Sequence, residues 1–215
     1  MSLDKVVEYL QLKSELKVQR TEDRIEVTNG EHSFVVGTKD DPSVDWVVEP
    51  SQVQESPKII ASKLINRLGA SQRIHARKCC IERIEKPVME AFLLEHHING
   101  SAGAKHKFGL IYEDELVALV SFATPRTIKG MRSAELVRFC VKSFYSIPGG
   151  LDKLLKHYSL TYPCDDIFTY VDAAWSSGDG FKRIGFQLEG IKEIGERKMM
   201  RLRKIIGKSS SHLHT

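Results

Sequence analysis

The segment Tyr170-Val171-Asp172-Ala173-Ala174-Trp175-Ser176 holds the side chains best suited to chemistry in this chain. Asp172 follows the apolar run Ile167 to Val171, which places its carboxylate at the C-terminal end of a strand, where open α/β sheets gather their ligand groups. It serves there either as a proton acceptor or as the cap of a helix starting near Ser176. Upstream, Ser146-Ile147-Pro148-Gly149-Gly150 runs into Leu151 to Tyr158, whose leucines fall at helical spacing. A glycine turn that opens a helix gathers free backbone N–H groups at the positive end of the helix dipole, which suits a phosphate or another anion. The alternative is a connection that needs a glycine for its backbone alone. His96 and His97 close another helix just before the loop Gly100 to Gly103. Imidazole has the right ordinary pKa for proton transfer, but adjacent helical residues point apart, so only one of the pair, His97, is taken as a site candidate. Either histidine otherwise serves as a C-terminal cation. Trp175 stacks on a nucleobase or wedges between sheet and helix. Arg126, Lys129, Arg132 and Arg138, with Lys105 and Lys107, are candidates for lining a polyanion groove.

The elements that must position these groups follow from periodicity. Leu3 to Lys13 carries apolar residues at one helical face; Arg24 to Thr28 and Glu31 to Val36 flank Asn29-Gly30 as a hairpin with a type I′ turn; Trp46 to Val48 is a short extended piece. Ser56-Pro57 starts a helix that stops at Gly69. Nothing in this first third has a catalytic signature, His32 reading as a surface residue and Trp46 as a packing residue. A change of unit falls near Gly69 to Gln72. Beyond it come a strand over Arg73 to Ile84, a helix over Pro87 to Ile98, a hairpin of Phe108 to Tyr112 and Glu115 to Phe122, and a strand over Ala134 to Val141. The glycine turn and its helix follow, then a strand over Ile167 to Asp172, a short helix, and two strands at Gln187 to Ile191 and Lys198 to Ile206.

Composition limits what these elements belong to. The chain has 215 residues, 41% of them hydrophobic, enough for one sizeable core or a core plus a small appendage. No apolar run reaches the roughly 18 residues of a membrane span, and the N-terminus lacks signal-peptide character, so a cytoplasmic protein without membrane contact is expected. Four cysteines without CxxC spacing argue against a disulfide framework and against a metal site. The net charge is +4, but it is segregated: nine of the 32 Lys/Arg and twelve of the 28 Asp/Glu lie in residues 1–72, leaving +7 on the remainder. That asymmetry allows a polyanionic partner, DNA or a nucleotide, for the C-terminal part, unless it is ordinary solvated surface.

The element order over residues 73–205 and the segment Phe181-Lys182-Arg183-Ile184-Gly185-Phe186, similar to the recurrent "YEKLGF" segment, resemble the GCN5-related N-acetyltransferase (GNAT) superfamily. More narrowly, Arg138-Phe139-Cys140, Pro148-Gly149-Gly150, and Asp172 with Trp175-Ser176 resemble a phage-associated branch related to Mom-type DNA-modifying acyltransferases, as do Ile74 to Cys79 and Glu95 to Gly100. The resemblance implies an α+β sandwich with a mixed, mostly antiparallel sheet between flanking helices. Residues 73–206 would form this domain, 1–72 a small α+β extension suited to docking or partner binding, and 207–215 a disordered tail.

The resemblance also implies acetyl-CoA or another acyl-CoA as donor. Backbone at Phe139, Cys140 and Val141 would pair with the pantetheine arm, and Gly149, Gly150, Leu151, Asp152 and Lys153 would hold the pyrophosphate. The family turn Q/R-x-x-G-x-G/A is altered here, with Ser146 at its first position and Leu151 at its last; Asp152 adds a negative charge that Lys153 offsets. The family's tyrosine, which protonates the leaving thiolate, is replaced by Phe181, leaving Tyr170 and Ser176 as candidates. Asp172 and His97 are candidates for proton transfer, and Arg126, Arg138 and Trp175 for the acceptor. The implied activity is acyl transfer to a nucleic-acid base or nucleotide amine, in a phage-infected host cell. The alternatives are a small-molecule or protein N-acetyltransferase and a non-catalytic DNA-binding module; the oligomeric state is left open.

Overall fold

The computed structural model describes residues 3–195 and 197–206; the tail expected at 207–215 lies outside them. The N-terminal part begins with α1 (Asp4–Gln11), which buries Val6 and Leu10 along one face, with its N-cap Leu3 buried as well. Four strands follow, β1 (Lys17–Arg20), β2 (Arg24–Thr28), β3 (Ser33–Gly37) and β4 (Trp46–Val47), paired in that order with only β3 and β4 parallel. In β2 the alternation is strict, Ile25 and Val27 facing inward. The β2–β3 connection is not the expected two-residue type I′ turn. Asn29 keeps a negative φ and its Oδ1 accepts from the N–H groups of Glu31 and His32, widening the turn to four residues. Two helices, α2 (Pro50–Glu55) and α3 (Pro57–Arg67), meet at Ser56, which the following proline holds out of helical geometry. Ile60, Ala61, Leu64 and Ile65 of α3 pack against α1 and the small sheet, with Trp46 in the same core.

The second part begins at β5 (Gln72–Arg73). The single strand expected over Arg73 to Ile84 is instead β5, a 3₁₀ turn (Ala76–Lys78) and β6 (Cys80–Arg83), because the buried positions Ile74, Ala76 and Cys79 follow no period of two. Then come α4 (Lys86–His96), β7 (His106–Tyr112), β8 (Glu115–Phe122), β9 (Arg126–Ile128), β10 (Met131–Val141), β11 (Tyr145–Ser146) and α5 (Gly150–Thr161). The last elements are β12 (Asp166–Asp172), α6 (Asp179–Lys182), β13 (Gln187–Ile194) and β14 (Arg197–Ile205). The sheet order is β13-β14-β12-β10-β8-β7-β6, with β9 hairpinned onto the start of β10. Every pair is antiparallel except β10 with β12, which α5 connects. Edge strand β13 is exposed along its whole length.

Helices cover both faces, giving an α+β sandwich around a mixed, mostly antiparallel sheet. Met89, Phe92 and Leu93 of α4 pack on Leu119 and Cys140, while Leu154, Leu155 and Tyr158 of α5 pack on the opposite face with Val120 and Phe122. Strand alternation assigns Leu119 to one side and Val120 to the other. Phe122 and Tyr158, both fully buried, stack with centroids 3.6 Å apart and planes 13° from parallel. Among the described residues no helix is long and apolar enough to cross a membrane. Because the Phe122–Tyr158 stack joins α5 to the central strand, Phe122→Ala is expected to lower unfolding stability by about 3–5 kcal/mol. Urea denaturation checks this, and a change under about 1 kcal/mol would contradict it.

Candidate active site

The parallel pair β10–β12 runs for four residues, Ser133 to Leu136 against Asp166 to Thr169, and then opens. Two features mark the opening. The β8–β10 register shifts between Leu136 and Arg138, turning β10 away, and the buried Thr169 hydroxyl donates to the Leu136 carbonyl at 2.9 Å. Beyond that point Arg138 to Val141 pair only with β8, and Tyr170 to Asp172 only with β14. Their inner backbone edges face a cleft of about 810 Å³. Its floor is Leu136 to Phe139 with Val141, and Thr169 to Asp172; the turn from Ser146 to Asp152 closes one end, and Trp175, Ser176, Phe181 and Ile184 flank another side.

At the turn, Gly149 is the N-cap of α5 with φ +78°, a conformation a side chain resists. Gly150 is buried, and a Cβ there would meet Ile147 Cγ2 at 3.0 Å and Leu110 Cδ1 at 3.2 Å. The Gly150 N–H donates to the Ile147 carbonyl, and the Lys153 N–H to that of Gly149. The N–H groups of Leu151 and Asp152 between them have no partner among the described residues, so α5 presents two free donors to the cleft. The Asp152 carboxylate is engaged by Lys156 at 2.7 Å and Lys204 at 3.9 Å. Lys153 does not offset it. Its Nζ donates to the carbonyls of Ala76 (3.0 Å) and Cys79 (2.5 Å), fastening the 3₁₀ turn to α5, and it lies outside the cleft lining.

Asp172 is buried at the end of β12. Its Oδ1 accepts from the Ala174 N–H at 3.0 Å and its carbonyl from the N–H groups of Trp175 and Ser176. It therefore shapes the turn after the strand while lining the cleft. Tyr170 and Ser176 also line the cleft, and Ser176 Oγ accepts from the Gly178 N–H at 3.1 Å. Phe181 packs edge-on against Phe186, their centroids 5.3 Å apart, and carries no proton to give.

Along the opposite wall, His97 Nδ1 accepts from the Asn99 N–H at 3.1 Å. Burial first, and then the nearby Arg138 guanidinium, push its pKa down to about 4. It is thus neutral at neutral pH, where a helix C-terminal cation is ruled out. Arg138 lines the cleft too, donating from Nε to the Gly100 carbonyl at 3.2 Å and from Nη1 to that of Val137 at 3.0 Å.

Two expected members lie elsewhere, and a third keeps only its backbone at the gap. Arg126 belongs to β9, is well exposed, and pairs with Glu135 at 3.4 Å near the far end of β10 from the cleft. The Cys140 side chain lies on the α4 face, and burial pushes its thiol up to about 12; only its backbone can serve the gap. Lys153 is the other misplaced member.

The N-terminal part supplies a wall that the sequence barely announces. Ile59, Ser62, Lys63 and Asn66 of α3 line the cleft. Trp46 Nε1 donates to the Ala174 carbonyl at 3.0 Å, and its ring meets that of Trp175 edge-on at 5.0 Å and 82°. Trp175 is therefore a wedge between the two parts. The Lys63 ammonium lies 4.1 Å from the Trp46 ring centroid and 4.4 Å from that of Trp175, and donates to the Trp175 carbonyl. Burial first and Arg67 second pull its pKa down to about 7, Asp172 opposing them. The one sequence hint was a lysine beside the apolar stripe Ile60, Ala61, Leu64, Ile65.

His97 gives a pH signature. An unfolded histidine titrates near 6.5, so between there and about 4 the unfolded chain binds a proton that the folded one does not. Stability is then lost as pH falls through that window, by about 1–3 kcal/mol. His97→Gln should flatten that part of the urea-midpoint profile; an identical profile in the variant would contradict the assignment.

No family model and no curated protein matches the chain. Solved structures that are similar include an IAA acetyltransferase from Bacillus cereus ATCC 14579, at 18% identity and a TM-score of 0.46, covering 60% of this chain and 99% of that one. A GNAT family acetyltransferase from Elizabethkingia anophelis with acetyl-CoA bound is similar at 15% identity and a TM-score of 0.47, again over 60% and 99% of the two chains. The ribosomal-protein-S18-alanine N-acetyltransferase of Escherichia coli is similar at 14% identity and a TM-score of 0.49, over 64% of this chain and 99% of that one.

Proposed function

We propose that this chain is an acyl-coenzyme A-dependent N-acyltransferase of the GNAT kind, acting on an amine carried by an anionic acceptor, a nucleotide or an exposed nucleic-acid base. The observation that carries the donor half is the opening of β10 from β12 directly beside the free N–H groups of Leu151 and Asp152. The open strand edges suit the amides of a pantetheine arm, and the α5 N-terminus suits a pyrophosphate. Asp152 does not stand against this, because Lys156 and Lys204 engage its charge. When bound, the coenzyme supplies an activated thioester carbonyl.

The chain's own residues do the rest. Asp172, fixed by the Ala174 N–H, has a second carboxylate oxygen available to accept a proton from the acceptor amine. The Tyr170 and Ser176 hydroxyls are the cleft donors that replace the missing tyrosine at Phe181. His97, neutral, orients the Asn99 backbone and is a weak base at best. For the acceptor half, the cleft lining includes the guanidinium groups of Arg138 and Arg183, with Lys142 paired to Glu115, against Asp172 and an Asp152 already engaged by lysines. That balance favours an anionic acceptor. The exposed Arg126 adds nothing to it, and the tie to a phage-associated branch rests on the sequence segments alone.

Calorimetry with coenzyme A tests the donor half. The wild type is expected to bind, and Gly149→Val, which strains a backbone at φ +78°, is expected to weaken binding at least about tenfold. A wild type that does not bind at millimolar coenzyme would overturn the reading. Incubation with acetyl-CoA and a short single-stranded oligonucleotide, scored for a 42 Da gain on a base, tests the acceptor half. A gain on amine-bearing peptides alone would overturn that half.

A further inference from the structure

Lys63 is a half-buried primary amine that lines the cleft; the one carboxylate that acts on it, that of Asp172, makes no close ion pair with it among the described residues. Its Nζ is held between two indole rings and the Trp175 carbonyl, on the wall facing the opened strands. The charged groups that face it are Arg67 on its own helix and Asp172 at the end of β12. Nothing in the proposed acyl transfer requires this amine, and burying it charged without an ion pair is costly. We propose that Lys63 is a self-acylation site, the chain's own amine nucleophile toward the acyl-coenzyme A that the cleft takes. The inference rests on the donor half of the proposed function.

In the step itself, the lone pair of neutral Lys63 Nζ attacks the thioester carbonyl and forms an amide bond. The carbon–sulfur bond breaks, and the proton lost from nitrogen ends on the departing thiolate, giving free coenzyme A. No oxidant or further reactant is needed. The pKa of about 7 supplies the neutral amine: near pH 7 its neutral fraction is on the order of a thousand times that of a hydrated lysine titrating near 10.4. Lower basicity offsets part of that gain.

Acylation has a structural consequence. The amide keeps one N–H for the Trp175 carbonyl but loses the positive charge that both indoles attract. The contact that joins α3 to the β12–α6 connection is weakened, so acylation at this position couples acyl donor to the hold of the N-terminal part.

The experiment is peptide mapping by mass spectrometry of the full chain after incubation with acetyl-CoA alone, from pH 6 to 10. The expected result is a 42 Da gain on the Lys63 peptide, with an initial rate half-maximal near pH 7 and level above pH 8. At pH 7.5 it should exceed the rate at exposed lysines at least tenfold. Tryptophan fluorescence should shift in step with the label, and Lys63→Arg should abolish both changes while keeping coenzyme affinity. Coenzyme binding without label at Lys63 would overturn the proposal alone. So would a Lys63 rate that climbs to pH 10 like that of the exposed lysines, or a label that survives in Lys63→Arg. A wild type that fails to bind coenzyme A would overturn the proposed function and this inference together.

Discussion

The separation of β10 from β12 is the constraint on which the rest of the molecule depends. Two parallel strands that stayed paired to their ends would satisfy their own backbone groups and leave no edge to offer. Here the ladder is stopped after Leu136 and Thr169 by a shift of register on the β8 side and by the Thr169 hydroxyl on the Leu136 carbonyl. Unpaired peptide groups inside a protein are costly, so the gap persists only because both strands stay anchored on their outer sides, β10 by β8 and β12 by β14. The long antiparallel flanks hold a short parallel break open. The helix that links the broken pair starts at the same end, which brings free strand edges and a helix N-terminus together without any special side chain.

The N-terminal part has its own sheet and core, yet it completes the cleft. Trp46 reaches across to the Ala174 carbonyl, Trp175 packs against Trp46, and Lys63 fills the angle between the rings. The Phe144 N–H donates to Ser62 Oγ at 2.8 Å, a second tie from α3 to the turn region. The acidic balance of residues 1–72 thus does not keep them away from the site. The charge on the wall they build comes from one lysine whose proton affinity the burial has lowered.

Most of the scaffold was legible in the sequence because its period is undisturbed. Helix α5, strands β8, β10 and β12, and the turn at Gly149 follow from apolar spacing and from a glycine placed where φ must be positive. Arg73 to Ile84 misled because a 3₁₀ turn at Ala76–Lys78 interrupts it, so that its inward residues Ile74, Ala76 and Cys79 share no strand period. Strand β9 was hidden because Lys129-Gly130 turns the chain with both residues at positive φ, and a lysine gives no signal of that. Lys63 left only the hint of a lysine at the margin of a helix stripe: the carbonyl it bonds is 112 residues away in the chain, and only tertiary docking makes that lysine unlike any other.

Strand β13 has a bearing on how copies of this molecule coexist. It is the outer edge of the large sheet, open to water along its length, and it carries Leu188, Ile191 and Ile194 there. An edge of that kind is a template on which another chain can extend the ladder. The pairing with β14 is irregular between Leu188 and Gly190, and Glu189, Lys192 and Glu193 interrupt the apolar positions. A second strand arriving at this rim would meet a kinked backbone and charges it must strip of water. Resistance to runaway sheet growth is therefore built into the same hairpin that anchors β12 from outside.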